Sequence, residues 1–444
     1  MMKYFDKKII LSAVFILALS FLQSQKIVHL EGSYDLDGDN LLEFISLELD
    51  PDKNVFPVEI KYNEVDEDGY QSSIWEFDAP KELDGYFVDA KIGDLDGDGV
   101  PDLIIVMNLS KFGTNSTPYV FVAVYSWEEG SFSELPSVTL DIGKQDRSLR
   151  CNNFSMLDQD ADGDQELVLS LGSPYRGFAI LDLDNQGRLV IIKKIRPDEL
   201  LVGSGLLYSA VVDYDNDGYE DLLAISPEGN TIKAQPFYNI GGIFDSGPLI
   251  RKNFEGISGI IYNSFQLTDW DADGFKDVLV PFRSGDIIAL TLTPATLVIE
   301  RVPVQPGPLT QIEIADFNQD NYMDLLMLSS DINALTMISG EDGGMESVRN
   351  VMSKVPEEMQ VFSMLPLTKL GKYNGNVMVS GWNGSSNSIF ILDFGKQSPD
   401  YDQGFLLSTD FITEQLPDLL SNIEGVQPEI PEIYVEVIPE QFPQ

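Results

Sequence analysis

The chain has 444 residues, a formal net charge of -44 and one histidine, His29. So acidic a chain excludes nucleic acid as an expected partner, because nucleic-acid binding depends on basic residues that contact phosphates. Because His29 is the only histidine, Ser-His-Asp triads, Cys-His pairs and histidine-based zinc sites are all but excluded, and His29 is interpreted as a residue of the first strand rather than a ligand.

The N-terminus predicts a signal peptide over residues 1-24. Three lysines precede an uncharged, mostly apolar run over residues 9-22, which is short for a membrane span and typical of a secretory signal. Cleavage is expected after Ser20 or Ser24, and an uncleaved anchor is the alternative. We therefore expect a secreted, periplasmic or cell-surface protein with no membrane span after cleavage. Cys151 is the only cysteine, so no intrachain disulfide can form.

Six acidic segments of nine residues recur along the chain. Each has Asp at position 1, Asp or Asn at position 3, Asp at position 5, Gly or Asn at position 6, and Asp or Glu at position 9. Gly and Asn enter left-handed backbone conformations at little cost, so position 6 predicts a sharp turn in every segment. The segments are DLDGDNLLE from Asp35, DLDGDGVPD from Asp94, DQDADGDQE from Asp158, DYDNDGYED from Asp213, DWDADGFKD from Asp269 and DFNQDNYMD from Asp316.

Carboxylates at alternating positions of a tight turn converge, and a hard divalent cation relieves their repulsion. Positions 1, 3, 5 and 9 offer side chains, and position 7 offers its backbone carbonyl. Calcium suits such a flexible oxygen set better than magnesium, so five or six Ca2+ ions are expected, the sixth segment being the weakest because Asn318 replaces an acid. The predicted ligands are Asp35, Asp37, Asp39, Leu41, Glu43, Asp94, Asp96, Asp98, Val100, Asp102, Asp158, Asp160, Asp162, Asp164, Glu166, Asp213, Asp215, Asp217, Tyr219, Asp221, Asp269, Asp271, Asp273, Phe275, Asp277, Asp316, Asn318, Asp320, Tyr322 and Asp324.

Two other interpretations of these segments fit the sequence less well. An EF-hand needs a bidentate Glu at position 12, but that position holds Ser46, Ile105, Leu169, Ala224, Val280 and Met327, and short apolar strands follow instead of helices. A solvated acidic turn explains any one segment. Six such turns, each followed by an apolar strand, favour bound ions.

The spacing of the segments predicts a repeated unit. Their first residues are 59, 64, 55, 56 and 47 positions apart, and the second unit contains the strand-like stretches YFVDAKIG, LIIVM, YVFVAVYSW and FSELPSVTL. Four strands per repeat without a convincing helix indicate one blade of a β-propeller. A seventh repeat without an acidic segment follows, so the sequence predicts an all-β, seven-bladed propeller over residues 25-411; six or eight blades are the alternatives.

These segments and their strand context resemble the FG-GAP repeat, also called the VCBS repeat, and are similar to the calcium-binding propeller blades of integrin α subunits. The resemblance implies a seven-bladed propeller with calcium ions between the first two strands of a blade. Literal FG and GAP signatures are mostly missing, and no inserted domain is present. Integrin-type ligand binding is therefore not implied.

Two functions of different classes are consistent with the sequence. The favoured one is a non-catalytic, calcium-stabilised scaffold for binding or adhesion, with a protein or glycan ligand; the alternative is an exported polysaccharide lyase or glycosidase. Trp75, Trp127, Trp270 and Trp382 could stack on sugar rings, although packing is the expected role of Trp270. The Pro-rich, acidic tail at 412-444 is expected to be disordered, or else to dock on the edge of a partner's sheet.

Overall fold

The computed structural model describes residues 26–49, 57–65, 71–78, 83–111, 119–142, 149–172, 175–198, 206–293, 296–303, 307–329, 334–341, 344–354, 360–367, 375–382, 387–393 and 405–407. The predicted signal peptide and C-terminal tail lie outside these residues. Among them, no helix has the length and apolar character of a membrane span.

The described strands form seven antiparallel sheets arranged as the blades of a propeller. Blade 1 contains β1 Lys26–Tyr34, β2 Leu42–Leu49, β3 Pro57–Val65 and β4 Gln71–Asp78. Blade 2 contains β5 Leu83–Gly93, β6 Asp102–Lys111, β7 Tyr119–Glu128, β8 Ser131–Phe132 and β9 Val138–Ile142. Blade 3 contains β10 Cys151–Leu157, β11 Glu166–Leu171, β12 Gly177–Leu183 and β13 Leu189–Ile195.

The remaining blades repeat this arrangement. Blade 4 contains β14 Tyr208–Val212, β15 Asp221–Glu228, β16 Thr231–Ile240, β17 Ile243–Ser246 and β18 Ile250–Asn253. Blade 5 contains a 3-10 turn at Tyr262–Ser264 and β19 Gln266–Thr268, β20 Asp277–Pro281, β21 Ile287–Thr293 and β22 Thr296–Arg301. Blade 6 contains β23 Gln311–Ala315, β24 Asp324–Ser329, β25 Ala334–Glu341 and β26 Gly344–Lys354. Blade 7 contains β27 Gln360–Leu367, β28 Asn376–Trp382, β29 Asn387–Asp393 and β30 Phe405–Leu407.

The burial of each strand follows from its place in the blade. The second strands β11, β20 and β24 are buried at every residue, as expected for continuous apolar runs packed on both faces. The fourth strand β22 alternates between exposed and buried residues, because one of its faces meets solvent. Strand position within a blade is thus encoded in the hydrophobic pattern.

The hydrophobic core lies between blades. Seven buried clusters are found among the described residues, and each is shared by two neighbouring blades. In the cluster that closes the ring, Leu30 and Phe44 of blade 1 pack with Leu365 and Met378 of blade 7. The seventh repeat therefore completes the ring, which confirms seven blades.

The first strands of the blades are the innermost ones. The backbone N–H of Leu30 in β1 donates a 3.1 Å hydrogen bond to Oγ of Ser363 in β27. Asn153 of β10 exchanges two hydrogen bonds of 2.9 and 3.0 Å with the backbone of Ser209 in β14. Such bonds tie first strands to one another around the axis, where a propeller has its central channel.

Two blades depart from the four-strand expectation, because their outermost strand is broken. In blade 2 the stretch FSELPSVTL forms two short strands, β8 and β9, which both pair with β7. In blade 4, β17 and β18 both pair with β16. The break contains Pro136 in one blade and Pro248 in the other, and proline cannot donate to a sheet ladder.

Candidate metal-binding loops

Each acidic segment connects the first and second strands of its blade. The six loops therefore lie at the same end of blades 1 to 6, an end that we call the loop face. Position 9 is the residue at or next to the start of the second strand, as Asp102 is for β6 and Asp221 for β15. Position 9 thus joins the loop to the most buried strand of the blade.

The backbone of every loop turns through the left-handed region twice. Position 6 has positive φ in all six loops, from 67° at Asn40 to 103° at Gly163, which confirms the predicted turn. Position 4 also has positive φ, which the residue type does not indicate at Ala161, Ala272 and Gln319, where φ is 59°. Such residues rarely adopt this conformation, so these three loops hold backbone strain that their other interactions must offset.

Backbone N–H groups hold the loop carboxylates in place. In the fourth loop, the N–H of Gly218 donates to Oδ2 of Asp213 at 3.1 Å, and the N–H of Tyr219 donates to Oδ1 of Asp217 at 2.9 Å. The N–H of Asp217 is shared between Asp213 and Asp215, at 3.2 Å from each. The same bonds recur with small variations in the other loops, so positions 1, 3 and 5 have one geometry throughout.

This geometry brings oxygen atoms of positions 1, 3 and 5 together. In each of the first three loops, one carboxylate oxygen from each of these positions lies within 4.8 Å of the other two. These trios are Asp35 with Asp37 and Asp39, Asp94 with Asp96 and Asp98, and Asp158 with Asp160 and Asp162. Three like charges at such separations repel one another unless a cation lies between them.

The carboxylate at position 9 is buried and closes the loop. It accepts a hydrogen bond from the backbone N–H of position 2 in all six loops, at distances from 2.6 Å in the Leu36–Glu43 pair to 3.3 Å in the Leu95–Asp102 pair. In the fourth loop the second oxygen of Asp221 also accepts, from Asn239 N–H at 2.7 Å. Position 9 therefore binds the loop, the second strand and the third strand together.

Burial raises the pKa of these position-9 carboxyl groups. Desolvation raises the pKa of Asp102 to about 6 and that of Asp221 to about 7, although backbone N–H donors oppose the shift. The same cause raises the pKa of Glu166 and Asp277 to about 7, that of Asp324 to about 6, and that of Glu43 above its ordinary range. A positive partner would lower the free energy of the charged form.

Two buried carboxylate oxygens have no hydrogen-bond partner among the described residues. They are Oδ1 of Asp94, at position 1 of the second loop, and Oε1 of Glu43, at position 9 of the first. Burying an unpaired carboxylate oxygen is costly, so each of these atoms needs a positive partner. The loop residues therefore fit a cation with oxygen ligands.

Neighbouring loops contact one another, which the sequence did not reveal. The backbone N–H of Gln165, position 8 of the third loop, donates to the carbonyl of Asp94 in the second loop at 3.0 Å. Glu220, position 8 of the fourth loop, accepts from the N–H of Asp158 in the third at 2.9 Å. The side chain of Asn216 reaches the carbonyl of Gly274 in the fifth loop at 3.4 Å. Loops 2 to 5 therefore form a connected series along the loop face.

The tryptophans that could have stacked on sugars are packed instead. Trp75 is buried and donates from Nε1 to the carbonyl of Ser133 at 3.0 Å. Trp127 contacts Phe132 edge to face, and Trp382 is buried in blade 7. Trp270 packs against the core between blades 5 and 6, as expected.

No family model matches this chain. No curated protein matches it either. The seven-bladed propeller is confirmed by the structure, whereas the resemblance to FG-GAP or VCBS repeats stays a prediction from the motif.

Solved structures with a similar fold share little sequence with this chain. BBS1N in complex with ARL6DN has 14% identity and a TM-score of 0.49, over 81% of this chain and 91% of that chain. The Dos1 propeller has 10% identity and a TM-score of 0.45, over 85% and 81%. The rhamnogalacturonan lyase YesW has 13% identity and a TM-score of 0.44, over 79% and 73%. Likenesses this weak indicate neither a ligand nor a reaction for this chain.

Proposed function

We propose that this chain is an exported, calcium-stabilised propeller that acts as a non-catalytic scaffold for binding a protein or glycan. The convergence of carboxylate oxygens in the loops is the observation that carries the calcium part of the proposal. Export is inferred from the N-terminal sequence, and it fits calcium binding because millimolar calcium is found outside the cytosol.

Calcium would be held by the side chains at positions 1, 3, 5 and 9 and by the carbonyl at position 7. In the second loop these residues are Asp94, Asp96, Asp98, Asp102 and Val100. The ion would give the buried Oδ1 of Asp94 a positive partner, and it would favour the charged form of Asp102. In the third, fifth and sixth loops it would also offset the strain of the left-handed residues at position 4, which are Ala161, Ala272 and Gln319.

Calcium bound at all of the loops together is expected to contribute strongly to the free energy of unfolding. Extracellular calcium modules bind with dissociation constants of about 0.1 to 1 mM, so millimolar calcium stabilises each site by roughly 0.5 to 1.5 kcal/mol. Five or six sites then contribute several kcal/mol, against a net stability of about 5 to 15 kcal/mol for an ordinary domain. Calcium would thus supply a large share of the net stability of the ring.

The stoichiometry of calcium in dialysed protein tests this part directly. We expect five or six ions per chain, with the sixth loop weakest because Asn318 replaces a carboxylate. Two ions or fewer would show that most of the loops are solvated acidic turns.

The binding part rests on apolar side chains that the loop face presents. Val100, Tyr322 and Met323 are exposed within the loops. Ile240 and Ile243 are exposed on the β16–β17 turn, whose glycines lie beside residues of the third and fourth loops. We expect a partner to pack on these exposed apolar side chains of blades 2, 4 and 6.

The scaffold proposal is tested by probing a glycan array and an array of extracellular proteins with the calcium-loaded chain. A ligand should be lost in Ile243→Asp and kept in Ile192→Asp, since Ile192 is exposed in β13 outside the loop face. The alternative function, a polysaccharide lyase or glycosidase, is tested on the same glycans by release of unsaturated or reducing ends. Turnover would replace the scaffold proposal, whereas binding without turnover would support it.

A further inference from the structure

A second polar cluster lies away from the loops, where first strands of three blades meet. It consists of His29 and Glu31 of β1, Asp89 and Lys91 of β5, and Glu313 of β23. Blade 6 is not adjacent to blade 1, yet Glu313 interacts electrostatically with both Glu31 and His29. Side chains from these inner strands therefore converge across the central channel, and we call this group the axis cluster.

Three members of the axis cluster offer ligand atoms at metal-binding distances. One nitrogen of His29 and one carboxylate oxygen each from Glu31 and Asp89 all lie within 4.8 Å of one another. His29 and Asp89 are buried, and Glu31 is partly buried. The chain thus holds its only histidine between two carboxylates in an enclosed place.

The orientation of His29 gives an independent indication of a ligand. Its Nε2 atom is buried and has no hydrogen-bond partner among the described residues. Oε2 of Glu31 is 3.5 Å from Nε2, which exceeds the usual length of an N–H···O hydrogen bond. Nε2 therefore lies at ion-pair distance from Glu31, and Asp89 also attracts the imidazole electrostatically. A buried imidazole nitrogen placed between two carboxylates in this way has the arrangement of a metal ligand once its proton is displaced.

The charges of the axis cluster match a divalent cation. Glu31, Asp89 and Glu313 contribute three negative charges when ionised, and Lys91 contributes one positive charge, its Nζ lying 3.4 Å from Oδ2 of Asp89. With a neutral imidazole and all three carboxyl groups ionised the net charge is -2, which one divalent ion cancels. Burial raises the pKa of Glu313 to about 8, and a nearby cation would favour its charged form. Gln311 and Gln266 donate to the two oxygens of Glu313 at 2.6 and 3.1 Å, so Glu313 is already held and would act through its charge.

Although the sequence alone argues against a histidine-based metal site, the convergence of these three side chains leads us to propose that His29, Glu31 and Asp89 bind one divalent transition-metal ion of the zinc type in the central channel. An imidazole nitrogen with two carboxylates suits zinc and its neighbours in the first transition row, whereas calcium prefers oxygen ligands alone. This site differs from the six loops in both its position and its donor atoms, so its metal does not compete with calcium for the same residues.

Because His29 is the only histidine, its imidazole gives a single reporter in the whole chain. The full chain, prepared without a histidine tag and labelled at histidine, is saturated with calcium to fill the loops and then titrated with zinc while the imidazole NMR signals are recorded. We expect the His29 signals to move and to reach a plateau at one equivalent. Cobalt should compete with zinc and broaden the same signals.

Glu31→Gln and Asp89→Asn should each weaken zinc binding by at least about tenfold, while Asp245→Asn, on exposed β17, should not change it. Glu31→Gln is the more informative variant if the loss of the Asp89–Lys91 ion pair disturbs the fold. An unmoved His29 signal at one equivalent of zinc would overturn the proposal. Unchanged affinity in folded Glu31→Gln would overturn it equally.

Discussion

The backbone N–H of Asp158, at position 1 of the third loop, donates a 2.9 Å hydrogen bond to the carboxylate of Glu220 in the fourth loop. Glu220 is half-buried, and both burial and the negative charge of Asp158 raise its pKa, while the N–H bond lowers it. A structural change in the fourth loop can therefore be transmitted to the third loop through this hydrogen bond. The loops are better described as a coupled series than as six separate sites.

We predict that Glu220→Ala, a substitution in the fourth loop, weakens calcium binding at the third loop. The substitution removes the acceptor that fixes the first ligand of the third loop, and a lost charge-assisted hydrogen bond is worth roughly 1.5 to 3 kcal/mol. Isothermal titration calorimetry should show a weakened site. Glu300→Ala, exposed on β22, is the control and should leave the titration unchanged. Calcium binding that is unchanged in Glu220→Ala would contradict coupling between the loops.

We predict that Asp96→Ala removes one calcium ion and lowers the melting temperature by a few degrees at most. Asp96 is the position-3 ligand of the second loop, and damage should stay local because each blade contacts mainly its neighbours. Metal analysis and a melting curve measure both effects. Asp245→Ala provides the comparison, since Asp245 is an exposed aspartate outside the loops. Equal effects of the two substitutions would count against the assignment of Asp96 as a ligand.

Two glycines of the second loop allow the effect of backbone strain on stability to be distinguished from the effect of a steric clash. Gly97 and Gly99 have φ of 68° and 81°, so alanine is strained at either position. A Cβ on Gly97 would also collide with the Asp164 side chain of the third loop, whereas a Cβ on Gly99 meets open space. Gly97→Ala should therefore lower the free energy of unfolding more than Gly99→Ala does, by the cost of moving the Asp164 side chain aside.

Asp164→Ala provides the test of that explanation. Because it removes the colliding side chain, it should abolish most of the difference between Gly97→Ala and Gly99→Ala in urea denaturation. A difference that persists in the Asp164→Ala background would show that the collision is not its cause.

The sequence predicted the parts of this structure that depend on short, local residue patterns. Positions 1, 3, 5, 6 and 9 of the loops carry distinctive residue types, and the buried second strands are continuous apolar runs, so both loop geometry and blade order could be inferred. The left-handed Ala161 could not, because alanine has no local preference for that conformation. Nor could the Asp158–Glu220 bond, which depends on the packing of neighbouring blades, or the axis cluster, whose residues of blades 1, 2 and 6 are brought together by ring closure.

Cys151 provides a test of the packing between blades 2 and 3. It is buried in β10, its Sγ donates to the carbonyl of Asn153 at 3.0 Å, and burial raises its pKa well above the ordinary range of a thiol. We predict that thiol reagents fail to modify the calcium-loaded protein and react at once after unfolding in guanidinium. Rapid modification of the native, calcium-loaded chain would contradict the packing between blades 2 and 3.

The melting temperature with and without calcium tests the central claim, that bound calcium holds the six loops and through them the ring. We predict that excess EGTA lowers the melting temperature by more than about 10 °C. EGTA removes the several kcal/mol of stabilisation that calcium binding contributes, and it restores repulsion among the clustered carboxylates. Calcium should restore the original curve, and magnesium should do so only weakly. A melting curve that is the same in EGTA and in calcium would contradict the claim and leave the loops as solvated acidic turns.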